Sequence, residues 1–318
     1  MTLAWPLPDW PAAPWSKSNE AGQPCCDPVT DSMPTALRLV LITSFAMIAF
    51  AANSVLGRLG LVETEIGAGS FAMIRLLSGA VTLAAICLLQ AKKIRGSLMG
   101  GLALLVYAGF FSYAYIALSA GMGAIILFAM VQITMLGRGL MQGERLSGWQ
   151  WAGFVVAVTA LVWLVSPSLE APPLWAAAAM AIAGIGWGVY SLLGRGVSDP
   201  TAATTGNFIW ATGLAVPVLG AALLLAPEPV PPGDGILIAI LSGAVTSGLG
   251  YVIWYSALKD LSSSRAGIAQ LTVPAIAAIG GVIFLAEPIT LRFALSTAAI
   301  LGGVALAVLT PAAASRKA

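Results

Sequence analysis

The sequence predicts an all-α integral membrane protein, with ten transmembrane helices built as two inverted five-helix repeats. Three observations carry this. The 318 residues are 59% hydrophobic and 9% charged, with a mean hydropathy of +0.93, far too apolar for a water-facing surface. Apolar runs of about 20 residues, the length that a bilayer core of roughly 30 Å demands of a helix, recur almost end to end after Thr35. The chain also echoes itself. Ser54–Arg58 (SVLGR) returns as Ser191–Arg195 (SLLGR), Tyr115–Leu118 (YIAL) as Tyr255–Leu258 (YSAL), and Glu144 after one apolar run as Glu287 after another, at offsets of 137, 140 and 143 in chain order. Ordered matches at slowly growing offsets mark an internal duplication.

Taken in order, residues 1–35 are Pro-rich with scattered Trp and have neither a basic n-region nor an apolar h-region, so they read as a disordered tail and not as a secretory signal. Ten spans follow, at about 37–57, 67–90, 98–118, 121–140, 149–166, 174–194, 202–225, 235–258, 266–286 and 290–310. Short connections rich in helix stops and starts separate them, among them Ala91–Gly96 (AKKIRG), Ser166–Pro173 (SPSLEAPP) and Ala226–Asp234 (APEPVPPGD). The first repeat covers 36–170 and the second 171–311, with a C-terminal tail at 312–318.

Orientation follows from the basic residues. With the N-terminus inside, twelve Lys and Arg fall on the cytoplasmic side and only two, Arg58 and Arg292, outside, with Arg75 within a span. Both termini are therefore expected in the cytoplasm. Five spans per repeat is an odd number, so the second copy enters the membrane upside down. Inverted pairs of this kind are a common construction for carriers that open a midplane site to each side in turn.

Several chemistries drop out. A net charge of +2 implies no nucleic-acid partner, and Cys25, Cys26 and Cys87 have neither metal-ligand spacing nor a disulfide framework. The chain has no histidine, which removes Ser–His and His–metal catalysis. No catalytic residue, metal or cofactor is expected. The thirteen carboxylates all fall in the tail, in loops or at span ends. Without a titratable relay at mid-membrane, a solute is expected to move down its own gradient. Glu144 and Glu287 are expected as helix-end or turn partners.

The residues left to form a site are aromatic and amide side chains. Tyr107, Phe111 and Tyr115 are four apart, as are Tyr251 and Tyr255, so each set lies along one helical face. With Trp187, Tyr190 and Trp254 they form either a ring-lined cavity or ordinary helix packing. Tyr113, Tyr115, Trp149, Trp151, Trp163 and Trp175 fall near span ends and read as an interfacial belt. Asn53, Gln132, Asn207 and Gln270 are amides within spans, where each needs a partner from a solute or from a neighbouring helix. Arg75 could hold a substrate carboxylate in its guanidinium fork or snorkel to the outer interface while its stem packs, and the second reading is preferred.

The chain resembles the drug/metabolite transporter superfamily in its EamA branch. The likeness covers residues 36–311 and rests on the ninth span, where Pro274 is followed thirteen residues on by Glu287, then a short turn and a last span containing Gly302-Gly303. Glu144 matches in the first repeat, where Val131 stands in place of the proline. Within that branch the aromatic content resembles the YddG-type aromatic amino-acid exporters. The resemblance implies a bacterial-type inner-membrane exporter of amino acids, with the fourth span of each repeat lining the centre. Its substrate contacts would be Asn53, Tyr107, Phe111, Gln132, Trp187, Tyr190, Tyr251, Trp254 and Gln270, with Arg75 as carboxylate contact. The expected partners are a small-molecule substrate and the lipid bilayer, and the working state is a monomer. Alternatives are export of other small metabolites or drugs, and a non-transporting receptor or scaffold.

Overall fold

The structure, a computed structural model, describes residues 35–141, 147–166, 171–194, 197–261, 266 and 269–309. The two expected tails fall almost wholly outside these residues, as do Glu144, Arg145, Arg195 and Arg265. Among the described residues every regular element is helical. In chain order these are α1 Thr35–Glu63, α2 Ala68–Leu89, α3 Leu98–Tyr115, α4 Ala120–Met141, α5 Gly148–Val165, α6 Leu174–Gly194, α7 Pro200–Leu225, α8 Gly233–Leu258, α9 Thr272–Leu285 and α10 Leu291–Leu309. The first eight are long and apolar enough to cross a membrane by length and composition, while α9, and α10 over Leu291–Leu306, are counted as shorter apolar helices.

Two elements depart from expectation, the second for an identifiable reason. Helix α1 continues past residue 57 to Glu63, carrying Arg58 on helical backbone. The ninth span, expected to start at 266, has a turn at Leu271 before α9 begins. Pro274, the third residue of α9, has no N–H to offer the Gln270 carbonyl, so an unbroken helix through this point would lose a bond and gain a clash. Helix α9 then stops at Ala286, whose φ of 50° places it in the left-handed region, and the Glu287 N–H closes back on the Gly281 carbonyl at 3.1 Å.

Principal packing partners form a regular set. Helix α3 packs on α6 and α7, α8 packs on α1 and α2, α4 meets α6, and α9 meets α1. Helices α2 and α7, α4 and α9, and α5 and α10 pair directly. Adding five to each helix number maps this set onto itself.

Polar caps fix the ends of the α2–α7 pair. Glu228, in the turn after α7, accepts the Gly69 and Ser70 N–H groups of α2 at 2.8 and 2.9 Å, so a carboxylate meets a helix N-terminus. At the other end Asp199 caps α7 through the Ala202 N–H at 3.2 Å and pairs with Lys92 at 3.3 Å. Burial pushes the Asp199 carboxyl up, but the Ala202 N–H and the Lys92 ammonium outweigh it and hold the group below its ordinary range.

Close approach sets the α2–α8 crossing. A Cβ on Gly243 would stand 2.1 Å from the Arg75 carbonyl oxygen and from Ser78 Oγ, and the first of these is backbone that cannot swing away. Replacing Gly243→Ala is therefore expected to cost roughly 1–3 kcal/mol through forced separation of the two helices. The check is the thermal midpoint of the purified protein in detergent, where an unchanged midpoint would show that this crossing is looser than described.

Candidate functional site

Arg75 lies on the buried stripe of α2 with Phe71, Ala72, Leu76 and Gly79, spaced as one helical face requires. It is only 1% exposed. The guanidinium does not snorkel, contrary to the expectation from its position in the span, because α3 and α8 fill the space around it. Nε donates to Ser247 Oγ at 3.1 Å, and Nη2 to the Tyr107 and Tyr251 hydroxyls at 2.9 and 3.3 Å. The charged carbon sits 4.4 Å from the Phe111 ring centre and 5.0 Å from that of Tyr107. Nη1 has no hydrogen-bond partner.

Among the described residues no carboxylate pairs with Arg75, and the ion pairs are Arg58–Glu287 and Lys92–Asp199. Removing a cation from water costs several kcal/mol even after relaxation. Ring faces and hydroxyl dipoles return part of that, but the net positive charge remains.

Asn53 holds the opposite wall together. Its Nδ2 donates to the Tyr107 hydroxyl at 3.0 Å, while Oδ1 accepts from Ser242, Thr246 and Ser247 at 2.8, 3.1 and 3.3 Å. Those three hydroxyls come from Ser242–Leu249, where α8 widens into a π-helical stretch. With three donors already on its oxygen, Asn53 is a structural tie between α1, α3 and α8. Of the two readings open for this residue, helix-to-helix bonding is the one observed.

The rings form a continuous ladder. Tyr255 lies 5.8 Å from Tyr190, Tyr190 5.5 Å from Trp187, Trp187 5.2 Å from Tyr107, Tyr107 5.3 Å from Phe111, and Phe111 4.6 Å from Tyr115, centre to centre. Tyr251 closes on Trp187 at 4.5 Å, and Phe50 touches Trp187, Tyr251 and Trp254 at 5.5, 5.9 and 5.7 Å. Phe50, Ser54, Tyr107, Phe111, Leu127, Phe128, Trp187 and Tyr251 enclose a cavity of only about 10 Å³, at most enough for one water. The rings occupy the centre themselves.

Sequence reasoning thus named most of this cluster and missed Phe50 and Phe128. Phe50 was findable, since Phe50, Asn53, Ser54 and Gly57 repeat at the spacing of one helical face. Tyr115, expected in the belt, is fully buried and donates to the Ala120 carbonyl at 3.2 Å, because α3 ends there and the chain turns inward into α4. Trp149, Trp151, Trp163 and Trp175 are exposed. Gln132 Nε2 and Gln270 Oε1 are buried without partners, yet no described hydrogen bond or shared cavity wall joins either to Arg75. Asn207 lies elsewhere, accepting the Ser97 N–H at 2.9 Å.

The two ends of the ladder differ. Beyond Tyr115, Glu287 pairs with Arg58 at 3.2 Å and accepts the Ala120 N–H at 2.8 Å. Arg58 in turn donates to the Tyr115 and Ile116 carbonyls at 2.9 and 2.8 Å. Glu287 is thus a helix-end partner that also locks α1, α4 and the end of α9 together. Beyond Tyr255 the described residues line a cavity of about 390 Å³ between the α2–α3 and α6–α7 turns. Among the described residues no group of three or more Cys, Asp or Glu could hold a metal ion.

The Asn53 tie predicts a stability effect. Asn53→Leu leaves the Ser242 and Ser247 hydroxyls without their buried acceptor and should cost roughly 1–3 kcal/mol, seen as a lower thermal midpoint in detergent. An unaltered midpoint would remove Asn53 from the structural frame and return it to the list of solute contacts.

Comparison with known proteins accords with this architecture. The model of the EamA-like transporter family matches residues 174–309. An uncharacterized protein of Pseudomonas aeruginosa is 47% identical over 279 residues, spanning 86% of this chain and 95% of that protein. Uncharacterized transporters of Archaeoglobus fulgidus and Bacillus subtilis are 24% and 23% identical, over 71% and 74% of this chain and 84% and 85% of their own. A protein of known crystal structure superposes with a TM-score of 0.61 at 20% identity, over 86% of this chain and 98% of that one, a likeness of fold alone. A buried core of helices, eight of them among the described residues long and apolar enough to cross a bilayer, together with the family match over residues 174–309, makes this a multi-pass membrane transporter whose second half is an EamA-like transporter family domain.

Proposed function

We propose that the transporter exports amino acids with aromatic or other apolar side chains by alternating access. The observation that carries the reading is Arg75, a buried guanidinium with an unpartnered Nη1 and, among the described residues, no carboxylate in contact, set among aromatic rings. A carboxylate-bearing solute supplies the missing anion. Its apolar side chain replaces ring contacts that Phe50, Tyr107, Trp187 and Tyr251 now make with one another, each worth roughly 0.5–1.5 kcal/mol. Because the rings satisfy themselves when the site is empty, the net gain on binding is small. That suits a carrier, which must release what it binds.

The same reading takes the chain as ten spans in two inverted repeats, 36–170 and 171–311, with both termini in the cytoplasm of a bacterial inner membrane and a monomer as the working unit. Its support is the packing set that maps onto itself when five is added to each helix number, together with the twelve-to-two division of basic residues. Movement is by facilitated diffusion. Among the described residues Arg75 is the charged side chain in the buried interior, and a guanidinium does not release its proton in a protein.

The test is counterflow of labelled tryptophan, phenylalanine, leucine and glutamate in proteoliposomes, with and without a pH gradient. Saturable tryptophan and phenylalanine exchange is expected, indifferent to the gradient and reduced at least about tenfold in Arg75→Gln, a loss of about 1.4 kcal/mol or more. Exchange that needs the gradient would end the facilitated reading, and full activity in Arg75→Gln would end the role of the guanidinium.

A further inference from the structure

We infer that the cavity beyond Tyr255 is a second binding site, a vestibular station that captures the carboxylate group of the solute before the ring cluster parts. The inference rests on the amino-acid reading above and deepens it. At about 390 Å³ the cavity falls within the roughly 300–1,000 Å³ of small-molecule sites, whereas the central space does not. Its polar wall is made by Arg95, Ser97, Ser198, Thr204 and Asn207, with no Asp or Glu among the lining residues, and Tyr255 supplies an aromatic surface.

The wall is built, not incidental. The Arg95 N–H donates to the Ala202 carbonyl at 3.0 Å and the Ser97 N–H to Asn207 Oδ1 at 2.9 Å. Between them Gly96 lies so close to α7 that a Cβ there would stand 2.4 Å from the Gly206 carbonyl carbon. The segment that presents Arg95 is thus clamped to α7. The nearby carboxylate of Asp199 is engaged by Lys92 and by the Ala202 N–H, and Lys259 donates to the Ser198 carbonyl at 3.0 Å, so among the described lining residues Arg95 is the cation left to meet an anion.

Unused donors point the same way. Thr204 is fully buried, and its hydroxyl has no partner. Asn207 spends its oxygen on Ser97, so its NH₂ is the group left to donate. A guanidinium with neutral donors around it is the recognition chemistry of a carboxylate. Tyr255, at the head of the ring ladder, offers its face to the attached apolar side chain. The mouth lies on the face carrying Lys92, Lys93 and Arg95, the side assigned to the cytoplasm by charge, where an exporter meets its solute.

The experiment uses the full-length protein in proteoliposomes and measures tryptophan counterflow for wild type, Arg95→Gln, Arg95→Lys and Thr204→Val, with tryptophan amide as a competitor lacking the carboxylate. Arg95→Gln should raise the half-saturation for tryptophan at least about fivefold while leaving the maximal rate within about twofold, Thr204→Val should raise it about two- to threefold, and Arg95→Lys should recover part of the loss. Competition by tryptophan amide should be the same against wild type and Arg95→Gln. An unmoved half-saturation in both Arg95→Gln and Thr204→Val, or an equal loss for tryptophan and its amide, overturns the station while leaving the central reading intact. Absence of tryptophan counterflow in the wild type overturns both.

Discussion

A positive charge held inside an apolar bundle, with no counter-ion among the described residues, is the constraint around which this molecule is arranged. Arg75 is kept there by three hydroxyls and two ring faces, and each of those groups is positioned by something else. Tyr107 is shared with Asn53, Asn53 gathers three hydroxyls of α8, and α8 comes close enough only because Gly243 has no side chain. The polar network is costly to assemble in a medium that solvates none of it. Its members therefore depend on one another across α1, α2, α3 and α8.

The ends of the bundle are held by a different device. Carboxylates cap helix N-termini, Glu228 on α2 and Glu287 on α4 from distant points of the chain and Asp199 on α7 as that helix's own first cap. Two of these also hold a basic partner, Lys92 on Asp199 and Arg58 on Glu287. Helix ends expose N–H groups that a bilayer interface satisfies poorly, so the caps fix register where the apolar stripes, being nearly uniform, cannot. The interior is then left to rings and hydroxyls, and charge at the rim does the aligning.

Much of this was legible in the sequence because a membrane helix announces itself by length and composition. Eight of the ten spans matched helices closely at both ends, and Tyr107, Phe111 and Tyr251 stood out by helical spacing. What failed did so for three-dimensional reasons. The depth of Arg75 was judged along its helix, but which neighbours surround a side chain depends on facing helices that no local pattern reveals. Tyr115 looked interfacial until the early end of α3 turned it inward. The cap by Glu228 joins residues 158 and 159 apart, with no signal at either. Among aromatics, Phe50 shares α1 with Phe45 only, away from the spans where aromatics crowd in sequence.

The widened stretch of α8, Ser242–Leu249, bears on how the centre can make room. An α-helix wound more loosely over two turns leaves the residues beyond it rotated relative to an unbroken helix, and those residues include Tyr251 and Trp254. The aim of both rings is therefore set by winding as well as by position along the membrane. A change of pitch confined to this stretch would swing them like blades on a shaft, with both ends of α8 still seated. Volume can then be generated at the core by torsion within one helix, at the expense of the three hydroxyl bonds to Asn53, without either half of the bundle having to slide.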